Sequence, residues 1–424
     1  MRILIKNGIV IDMVNKEPKV KDILIVGNKI EKIEHKIEEN ADKIINAENK
    51  VIMPGLVNCH NHCAMSIFRG HSDDLELQEW LNNAIWPVEE KLTKEEIYYA
   101  SLLSCIEMIK TGTTTFHDMY FLMEDVAKAV EESGIRALIS RTVVTEEEPR
   151  TRLKEAEELY LKYNKKANGR ILVNVSLHAP YTCDERTIKK CVELAKKYKM
   201  SIHIHLSETE KENKDIKEKY GITPTEYLKK NGVFEVKTIL AHCVYLSSND
   251  INIIKKENTG IAHNPISNLK LSSGMANIVK YKENGITVGI GTDGAGSTNT
   301  LDMFEEMKVS AYIQKVLNKK SSCINAEDIL KMATTDGAKV LGLDKEIGSI
   351  EEGKKADIII INIEKPHIKP INNIYSALVY SAVGQDVETS IVDGKIIMEN
   401  REIIGIDEKM IMDKCQKISD KYFR

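Results

Sequence analysis

The chain has 424 residues and a formal net charge of −4 at pH 7, from 60 lysines and arginines against 64 aspartates and glutamates. This length accommodates one barrel-sized domain with a smaller accessory domain, and the charge balance does not indicate the basic surface that nucleic-acid binding requires. Charges interrupt the N-terminus within a few residues and no long uncharged apolar stretch follows, so we expect neither a signal peptide nor a membrane segment.

Both ends of the chain have the pattern of short strands separated by turn residues. At the N-terminus the predicted strands are 3–12, 22–26, 29–33 and 43–52, and at the C-terminus they are 357–363, 387–392 and 395–398. We therefore predict that residues 1–54 and 346–424 together form one small β-sandwich.

Between the two ends, apolar strands alternate with helical segments, which favours a parallel sheet built from βα units. One helix is well marked, because Thr93 and Glu96 fit a capping box and Gly112 can end the helix. We predict that residues 55–345 form a distorted (β/α)₈ barrel of the α/β class. Its strands are the run before His60, a strand from 113 to near His117, and 137–144, 171–178, 201–205, 238–242, 260–263 and 287–292.

Chemistry in such barrels lies at the C-terminal ends of the strands. The residues that we expect at those ends are His60, His62, His117, Arg141, His178, His205, His242, His263 and Asp293. Eleven randomly scattered histidines would not favour these positions so strongly.

The sequence His60-Asn61-His62 suggests half of a metal site, because residues i and i+2 of a strand point to the same face. A pair of polar residues at a strand end is the simpler alternative. His205 and Asp293 end later strands and add a nitrogen and an oxygen ligand, as a catalytic zinc site requires. Asp293 could instead be only a turn or capping residue, and His203 fits a hydrogen-bonded core residue.

At these positions the chain resembles the amidohydrolase superfamily, in the branch of 5-methylthioadenosine/S-adenosylhomocysteine deaminases. The matching segments are Met53-Pro54-Gly55-Leu56-Val57-Asn58-Cys59-His60-Asn61-His62, Trp86-Pro87-Val88-Glu89, His178-Ala179-Pro180-Tyr181, His205-Leu206-Ser207-Glu208-Thr209, Ala241-His242-Cys243, Ser267-Asn268-Leu269-Lys270-Leu271 and Gly291-Thr292-Asp293-Gly294. The resemblance covers nearly the whole chain and implies the same barrel and β-sandwich.

The resemblance also implies one divalent ion, held by His60, His62, His205 and Asp293. Relatives with two metals use a carboxylated lysine in the fourth strand, whereas residues 171–178 contain no lysine. Zinc is the expected ion, although iron and manganese accept the same ligands.

Three residues have catalytic roles by the same resemblance. Asp293 would accept a proton from the attacking water, Glu208 would carry a proton to the ring nitrogen and the departing ammonia, and His242 would orient the attacking oxygen. The alternatives are a solvated charge for Glu208 and a packing histidine for His242.

The resemblance also implies residues that contact the substrate. Glu89 would accept hydrogen bonds from the ribose, His178 would contact the nucleoside, and Trp80 would pack against it. Ser297 would line the pocket or cap a helix.

Two arginines, Arg141 and Arg152, resemble the family's anchors for the carboxylate of S-adenosylhomocysteine. Arg150 is a rival for the role of Arg152. Either anchor could also be an ordinary surface charge.

The expected reaction is hydrolytic deamination of 5-methylthioadenosine, S-adenosylhomocysteine or a related adenosine nucleoside. The alternatives are deamination or dechlorination of another ring, such as guanine or an s-triazine, and a non-catalytic scaffold. The eight cysteines form no C-x-x-C motif, so reduced thiols in a cytoplasmic protein are the simpler interpretation. We expect a small-molecule partner, no nucleic acid, no membrane, and a homo-oligomer.

Overall fold

A computed structural model provides the structure of the chain and describes residues 1–15, 17–145 and 150–424, with only the backbone of Arg150. The strands in chain order are β1 (Arg2–Val10), β2 (Lys19–Val26), β3 (Lys29–Glu34), β4 (Lys43–Asn46), β5 (Lys50–Pro54), β6 (Leu56–Asn61), β7 (Thr113–Tyr120), β8 (Arg136–Val143), β9 (Ile171–Leu177), β10 (Ile202–Leu206), β11 (Thr238–His242), β12 (Thr259–His263), β13 (Val288–Ile290), β14 (Ile358–Asn362), β15 (Val387–Val392), β16 (Lys395–Glu399) and β17 (Glu402–Ile403).

Helices follow most of the barrel strands. In chain order they are α1 (Leu77–Glu79), α2 (Trp86–Glu89), α3 (Lys94–Lys110), α4 (Met123–Ser133), α5 (Arg150–Tyr163), α6 (Lys166–Gly169), α7 (Glu185–Tyr198), α8 (Glu210–Tyr220), α9 (Pro224–Lys230), α10 (Ser248–Lys256), α11 (Pro265–Lys270), α12 (Ile278–Glu283), α13 (Ala295–Thr298), α14 (Met303–Leu317), α15 (Ala326–Met332), α16 (Thr335–Leu341), α17 (Ile374–Ser376) and α18 (Glu408–Phe423). Helix α3 begins at the predicted capping box of Thr93 and Glu96.

Strands β6 to β13 form a parallel sheet in sequential order, eight strands within the described residues. The sheet is nearly closed, since just after β13 the N–H of Asp293 donates to the carbonyl of His60 in β6 over 2.9 Å. Each strand alternates its side chains between the two faces. In β10, for example, Ile202, Ile204 and Leu206 join the hydrophobic core, whereas His203 and His205 contact His60 inside the barrel. The predicted (β/α)₈ barrel is confirmed.

Strand β7 is longer than the sequence pattern predicted. Strand β7 continues to Tyr120, so His117 lies three residues inside the barrel and not at the strand end. The prediction that His117 belongs to the row of strand-end residues is therefore wrong. The physical reason is that Asp118 and Tyr120 remain buried in the barrel, although Asp118 favours a turn when only the sequence is known.

The second sheet combines strands from both ends of the chain, in the order β17-β16-β15-β14-β5-β1-β2-β3, with β4 beside β1. Strand β5 pairs antiparallel with β14 and so joins the two ends. A cluster of buried isoleucines fills this unit: Ile3, Ile5, Ile23, Ile25, Ile30, Ile52, Ile358, Ile360 and Ile391. The prediction that both termini build one small β unit is confirmed, while its exact boundaries stay a prediction.

Two local features differ from the sequence analysis. The predicted strand 43–52 is two strands, β4 and β5, because Asn49 between them adopts a left-handed conformation with φ of 59°. The C-terminal region also ends in a helix, α18, which was not predicted. Its buried face, which includes Ile411, Cys415 and Ile418, belongs to the main hydrophobic core.

A buried ion pair connects the two sheets. Arg136, at the start of β8, donates to both carboxylate oxygens of Asp357 over 2.7 and 2.9 Å. It also contacts Asp393 at 3.3 Å. Within the described residues, no helix is both long enough and apolar enough to cross a membrane.

Candidate active site

His60 of β6 and His62, the first residue after that strand, both face the carboxylate of Asp293. The Nε2 atoms of His60 and His62 lie 3.4 and 3.2 Å from Oδ1 of Asp293. The Nε2 atom of His205, at the end of β10, lies 3.3 Å from that of His62. The structure therefore brings together the four residues that the sequence analysis grouped.

The opposite nitrogen of each imidazole has a partner that fixes the ring. The Nδ1–H of His62 donates to the carbonyl of Met119, and that of His205 donates to the carbonyl of His178, both over 2.7 Å. A hydrogen on Nδ1 leaves the Nε2 lone pair free for a metal. Backbone carbonyls thus orient two of the candidate ligands.

His203 is a core residue, as its position predicted. Its Nε2 lies 3.1 Å from Nδ1 of His60, and its ring lies 4.1 Å from that of His117. Burial lowers the pKa of His117 to about 3 and that of His60 to about 4. These buried imidazoles are therefore neutral near pH 7, as metal ligation by His60 requires.

Asp293 follows the short strand β13 and has a left-handed backbone, with φ of 67°. Its Oδ2 accepts a hydrogen bond from the hydroxyl of Ser267 over 2.7 Å. Burial alone would raise the pKa of Asp293, but its contacts with His60 and His62 outweigh burial and hold that pKa well below its usual range. Asp293 is therefore an ionised carboxylate inside the barrel and not a surface turn residue.

The separations between these donor atoms suit a divalent ion. Ligand atoms about 2.1 Å from a tetrahedral metal lie about 3.4 Å from one another, close to the separations of 3.2, 3.3 and 3.4 Å found here. The Nε2 of His60 is buried and has no hydrogen-bond partner among the described residues. An ion at this position would satisfy that atom.

Glu208 and His242 lie beside this cluster. The carboxylate of Glu208 is 3.8 Å from Nε2 of His242, and it accepts a hydrogen bond from the hydroxyl of Ser273 over 3.1 Å. Glu208 is only 7% exposed, and burial raises its pKa. The alternative of a solvated surface charge is therefore wrong for Glu208.

His242 ends β11 and is held by a neighbouring helix. Its Nδ1 lies 2.7 Å from Oδ1 of Asn268 in α11, and its Nε2 lies 4.0 Å from Oδ2 of Asp293. Because Asn268 fixes one ring nitrogen, the other faces the candidate metal ligands. The side chain of His242 is buried, with 1% exposed, but its neighbours are polar. A histidine that only packs in the core would have apolar neighbours.

Left-handed backbone conformations recur at the ends of the strands around this cluster. Ser207, His242, Cys243 and Asp293 have φ values of 49°, 71°, 51° and 67°. Such conformations are unfavourable for residues other than glycine and concentrate at functional sites. Here each one turns the chain sharply where a strand ends beside the candidate ligands.

Three residues of the cluster, His62, His205 and Asp293, line a cavity of about 730 Å³, which is within the usual size range of small-molecule sites. Besides the candidate ligands, predicted residues that line it are Trp80, Glu89, Arg141, Arg152, His178, Glu208, His242 and Ser297. The structure thus gathers all the predicted substrate residues that it describes around one cavity.

The side chains of the cavity wall have defined partners. The hydroxyl of Tyr120 donates to the carboxylate of Glu89, and burial raises the pKa of Glu89 to about 7. His178 has its Nδ1 3.0 Å from the hydroxyl of Thr182. Trp80 is 4% exposed and also belongs to the hydrophobic core, so its packing and lining roles coexist.

Both candidate anchors line the cavity. Arg141 donates from Nε to the carboxylate of Glu155 over 2.7 Å, so it is already part of an ion pair. Arg152, in the first turn of α5, lines the cavity. The rival side chain of Arg150 lies outside the described residues.

Ser297 lies within α13 and is not its capping residue. Its hydroxyl is 3.0 Å from that of Ser267, which in turn holds Asp293. The capping alternative for Ser297 is therefore wrong.

Several residues of the site were not identified as functional from the sequence. These are Tyr120, Ser267, Asn268 and Ser273, which hold Glu89, Asp293, His242 and Glu208. Ser267 and Asn268 belong to a segment that matched the family pattern, and that match was the available signal. The aromatic residues Trp86 and Tyr181 also line the cavity, with ring centroids 6.3 and 5.9 Å from that of His178.

Several known proteins resemble this chain over nearly its full length. A 5-methylthioadenosine/S-adenosylhomocysteine deaminase of Carboxydothermus hydrogenoformans is 50% identical over 423 residues, 98% of this chain and 97% of its own. A 5′-deoxyadenosine deaminase of Methanocaldococcus jannaschii is 48% identical over 423 residues, 98% of each chain. The crystal structure of an adenosine deaminase from Xanthomonas campestris with bound zinc superposes with a TM-score of 0.95 at 28% identity, covering 99% of this chain and 98% of the other.

Residues 51–397 also match the family model described as the amidohydrolase family. This match spans the barrel and strands β5, β14, β15 and β16 of the second sheet, whereas β1 to β4 and β17 lie outside it. The resemblance seen in the sequence is confirmed, and the chain belongs to the amidohydrolase family.

Proposed function

We propose that this protein is a metal-dependent deaminase that converts 5-methylthioadenosine, S-adenosylhomocysteine or a related adenosine nucleoside to its inosine analogue and ammonia. One observation carries the proposal. The donor atoms of His60, His62, His205 and Asp293 lie 3.2–3.4 Å from their neighbours in the cluster, and Glu208 lines the same small-molecule-sized cavity as His62, His205 and Asp293. The names of the relatives support the adenosine ring as the substrate.

His60, His62, His205 and Asp293 would hold one divalent ion, which we propose to be zinc. Three imidazoles and a carboxylate suit zinc, with iron and manganese as the other candidates. When bound, such an ion lowers the pKa of a water molecule towards neutrality and makes it a nucleophile at the ring carbon that bears the amino group.

Proton transfer would fall to the carboxylates. Asp293 is ionised and held by Ser267, so it can accept the proton that the water loses. Burial raises the pKa of Glu208, which allows it to protonate the ring nitrogen and then pass a proton to the leaving amino group. The overall reaction adds one water and releases one ammonia.

His242 would stabilise the developing tetrahedral centre. Its ring is fixed by Asn268, so its free nitrogen needs little reorganisation as charge develops on the attacking oxygen. This role requires the imidazole of His242 to face the reacting carbon. The position of its Nε2 atom, within 4.0 Å of the carboxylates of both Glu208 and Asp293, supports that orientation.

The remaining cavity residues would select the nucleoside. Glu89 would accept hydrogen bonds from the ribose hydroxyls, His178 and Ser297 would contact the nucleoside, and Trp80 would pack against it. Arg141 and Arg152 would bind the carboxylate of S-adenosylhomocysteine, which a planar guanidinium can bind with two hydrogen bonds.

The test is ammonia release by the purified protein from adenosine, 5′-deoxyadenosine, 5-methylthioadenosine, S-adenosylhomocysteine, guanine and cytosine, with metal analysis of the same sample. We expect release from the adenosine nucleosides together with the inosine analogue. Release from guanine or cytosine alone would contradict the adenosine proposal. A protein without metal and without activity on the whole panel would favour a scaffold.

We also propose that residues 1–54 and 346–424 form one domain and residues 55–345 the other. A homo-oligomeric state, a cytoplasmic location and the lack of a nucleic-acid partner stay predictions of the sequence.

A further inference from the structure

The carboxylate of Glu212 does not follow the capping pattern found at other helices of this chain. Among the described residues, three α-helices begin with a capping box, in which the carboxylate of the third helical residue accepts the N–H of the N-cap residue. The pairs are Thr93 with Glu96, Thr223 with Glu226, and Ser247 with Asp250.

Helix α8 has the same sequence pattern but a different set of hydrogen bonds. The hydroxyl of Thr209 accepts the N–H of Glu212 over 3.1 Å, as an N-cap residue should. The carboxylate of Glu212, however, reaches past Thr209. It accepts the N–H of Ser207 and the N–H of Glu208, each over 2.9 Å and each on a different oxygen.

These two hydrogen bonds hold a strained turn. Ser207 has a φ of 49°, which is unfavourable for a residue other than glycine and persists only where the surroundings enforce it. The carbonyl of Ser207 accepts the N–H groups of Val244 and Tyr245 over 3.0 and 2.9 Å. The turn that carries Glu208 is thereby tied to the chain that follows His242.

Glu212 is buried, as are the capping-box residues Glu96 and Asp250, so its hydrogen bonds and not its burial distinguish it. It is 3% exposed, and burial raises its pKa to about 8, although its two N–H partners oppose that rise. The burial of Glu212 follows from its place behind the turn at Ser207.

We propose that Glu212 is a positioning residue, which clamps the N–H groups of Ser207 and Glu208 so that the carboxylate of Glu208 faces His242. This inference rests on the proposed function, because it assumes that Glu208 transfers the proton. The proposal gives different roles to two residues at the start of α8. Thr209 caps the helix, whereas Glu212 holds Glu208 in position.

The test compares Glu212→Ala with two capping controls. Thr209→Ala removes the N-cap hydroxyl of the same helix but keeps the clamp, and Glu226→Ala removes the capping carboxylate of α9. We expect Glu212→Ala to lower kcat by about 100-fold, the scale of a lost general acid, with KM within about twofold of wild type. Both controls should lower the melting temperature while keeping kcat.

The pH profile and the metal content distinguish positioning from a structural defect. Without the clamp, water reaches Glu208, whose pKa is raised by burial. The limb of the kcat profile that reports Glu208 should therefore move to lower pH in Glu212→Ala, while the metal content stays that of wild type. Glu212→Gln, which keeps one acceptor oxygen, should retain more activity than Glu212→Ala.

Several results would overturn the inference. They are a Glu212→Ala enzyme with kcat within about threefold of wild type, an equal loss in Thr209→Ala or Glu226→Ala, or an unmoved pH profile. If Glu212→Ala does not fold, Glu212→Gln decides, because wild-type kcat in that variant contradicts the clamp. Failure of the proposed function has a different signature, namely a wild-type enzyme without ammonia release or an active Glu208→Gln variant.

Discussion

Ser267 donates its hydroxyl hydrogen to Oδ2 of Asp293 over 2.7 Å. The bond leaves Oδ1 of Asp293 facing the imidazoles of His60 and His62. Partners of this kind orient metal-binding carboxylates, and their loss costs about 10- to 100-fold in affinity or activity.

Ser267→Ala should therefore lower kcat/KM by about 10- to 100-fold with little change in the melting temperature. Steady-state ammonia release measures the effect. Ser310→Ala is a matched control, because Ser310 is equally buried but its hydroxyl has no hydrogen-bond partner among the described residues. Equal activity in the two variants would show that Ser267 does not orient Asp293.

Removal of the metal should abolish ammonia release and lower the melting temperature. Ligands that bind only the folded state stabilise it, by about 4 kcal/mol when they are present at a thousand times the Kd. After chelation, zinc, iron and manganese can be added back separately and the activity measured. Full activity after complete chelation would contradict a metal-dependent reaction.

Arg152→Gln should separate the two named substrates. A hydrogen bond to a charged group contributes about 1.5–3 kcal/mol, so kcat/KM for S-adenosylhomocysteine should fall by about 10- to 100-fold. The value for 5-methylthioadenosine, which has no carboxylate, should change little. Arg186→Gln, at an exposed position of α7, is the control, and an equal loss on both substrates would refute the carboxylate anchor.

The pKa of Glu89, which burial raises to about 7, predicts a pH-dependent preference for ribose. Below that value the carboxyl group is protonated and is a weaker acceptor for hydroxyl groups. The kcat/KM ratio of 5′-deoxyadenosine to 2′,3′-dideoxyadenosine should therefore rise from about pH 6 to about pH 8 as Glu89 ionises. Glu89→Gln should remove the trend, and a ratio that is flat in the wild-type enzyme would contradict the ribose contact.

The ion pair between the two sheets should matter for stability and not for catalysis. Arg136→Met leaves Asp357 and Asp393 buried without their cation, which should lower the free energy of unfolding by about 3–5 kcal/mol. Lys162→Met removes an exposed ion pair with Glu124 and should change the free energy of unfolding by less than about 1 kcal/mol. Chemical denaturation measures both, and equal stability of the two variants would contradict this account.

The sequence was sufficient to predict the barrel and the candidate ligands because both depend on local patterns. The i and i+2 spacing of His60 and His62 predicts that both side chains face the same way, and apolar runs predict where the chain leaves the sheet near His205 and Asp293. Local patterns do not fix where each strand ends. Strand β7 continues through Asp118, although aspartate usually favours turns.

The supporting contacts could not be predicted because they join residues far apart in the sequence. Tyr120 reaches Glu89 across 31 positions, and Ser267 reaches Asp293 across 26. Glu212 was hidden for another reason, since Thr209 and Glu212 fit an ordinary capping box. Only the folded chain shows that its carboxylate bonds to Ser207 and Glu208 instead.

The central claim is that Glu208 and the neighbouring metal ligands deaminate an adenosine ring. The most direct measurement compares wild type and Glu208→Gln in metal content and in conversion of 5-methylthioadenosine to its inosine analogue. We predict equal metal in both proteins, conversion by wild type, and a loss of about 100-fold or more in the variant. Wild-type turnover by Glu208→Gln would contradict the account.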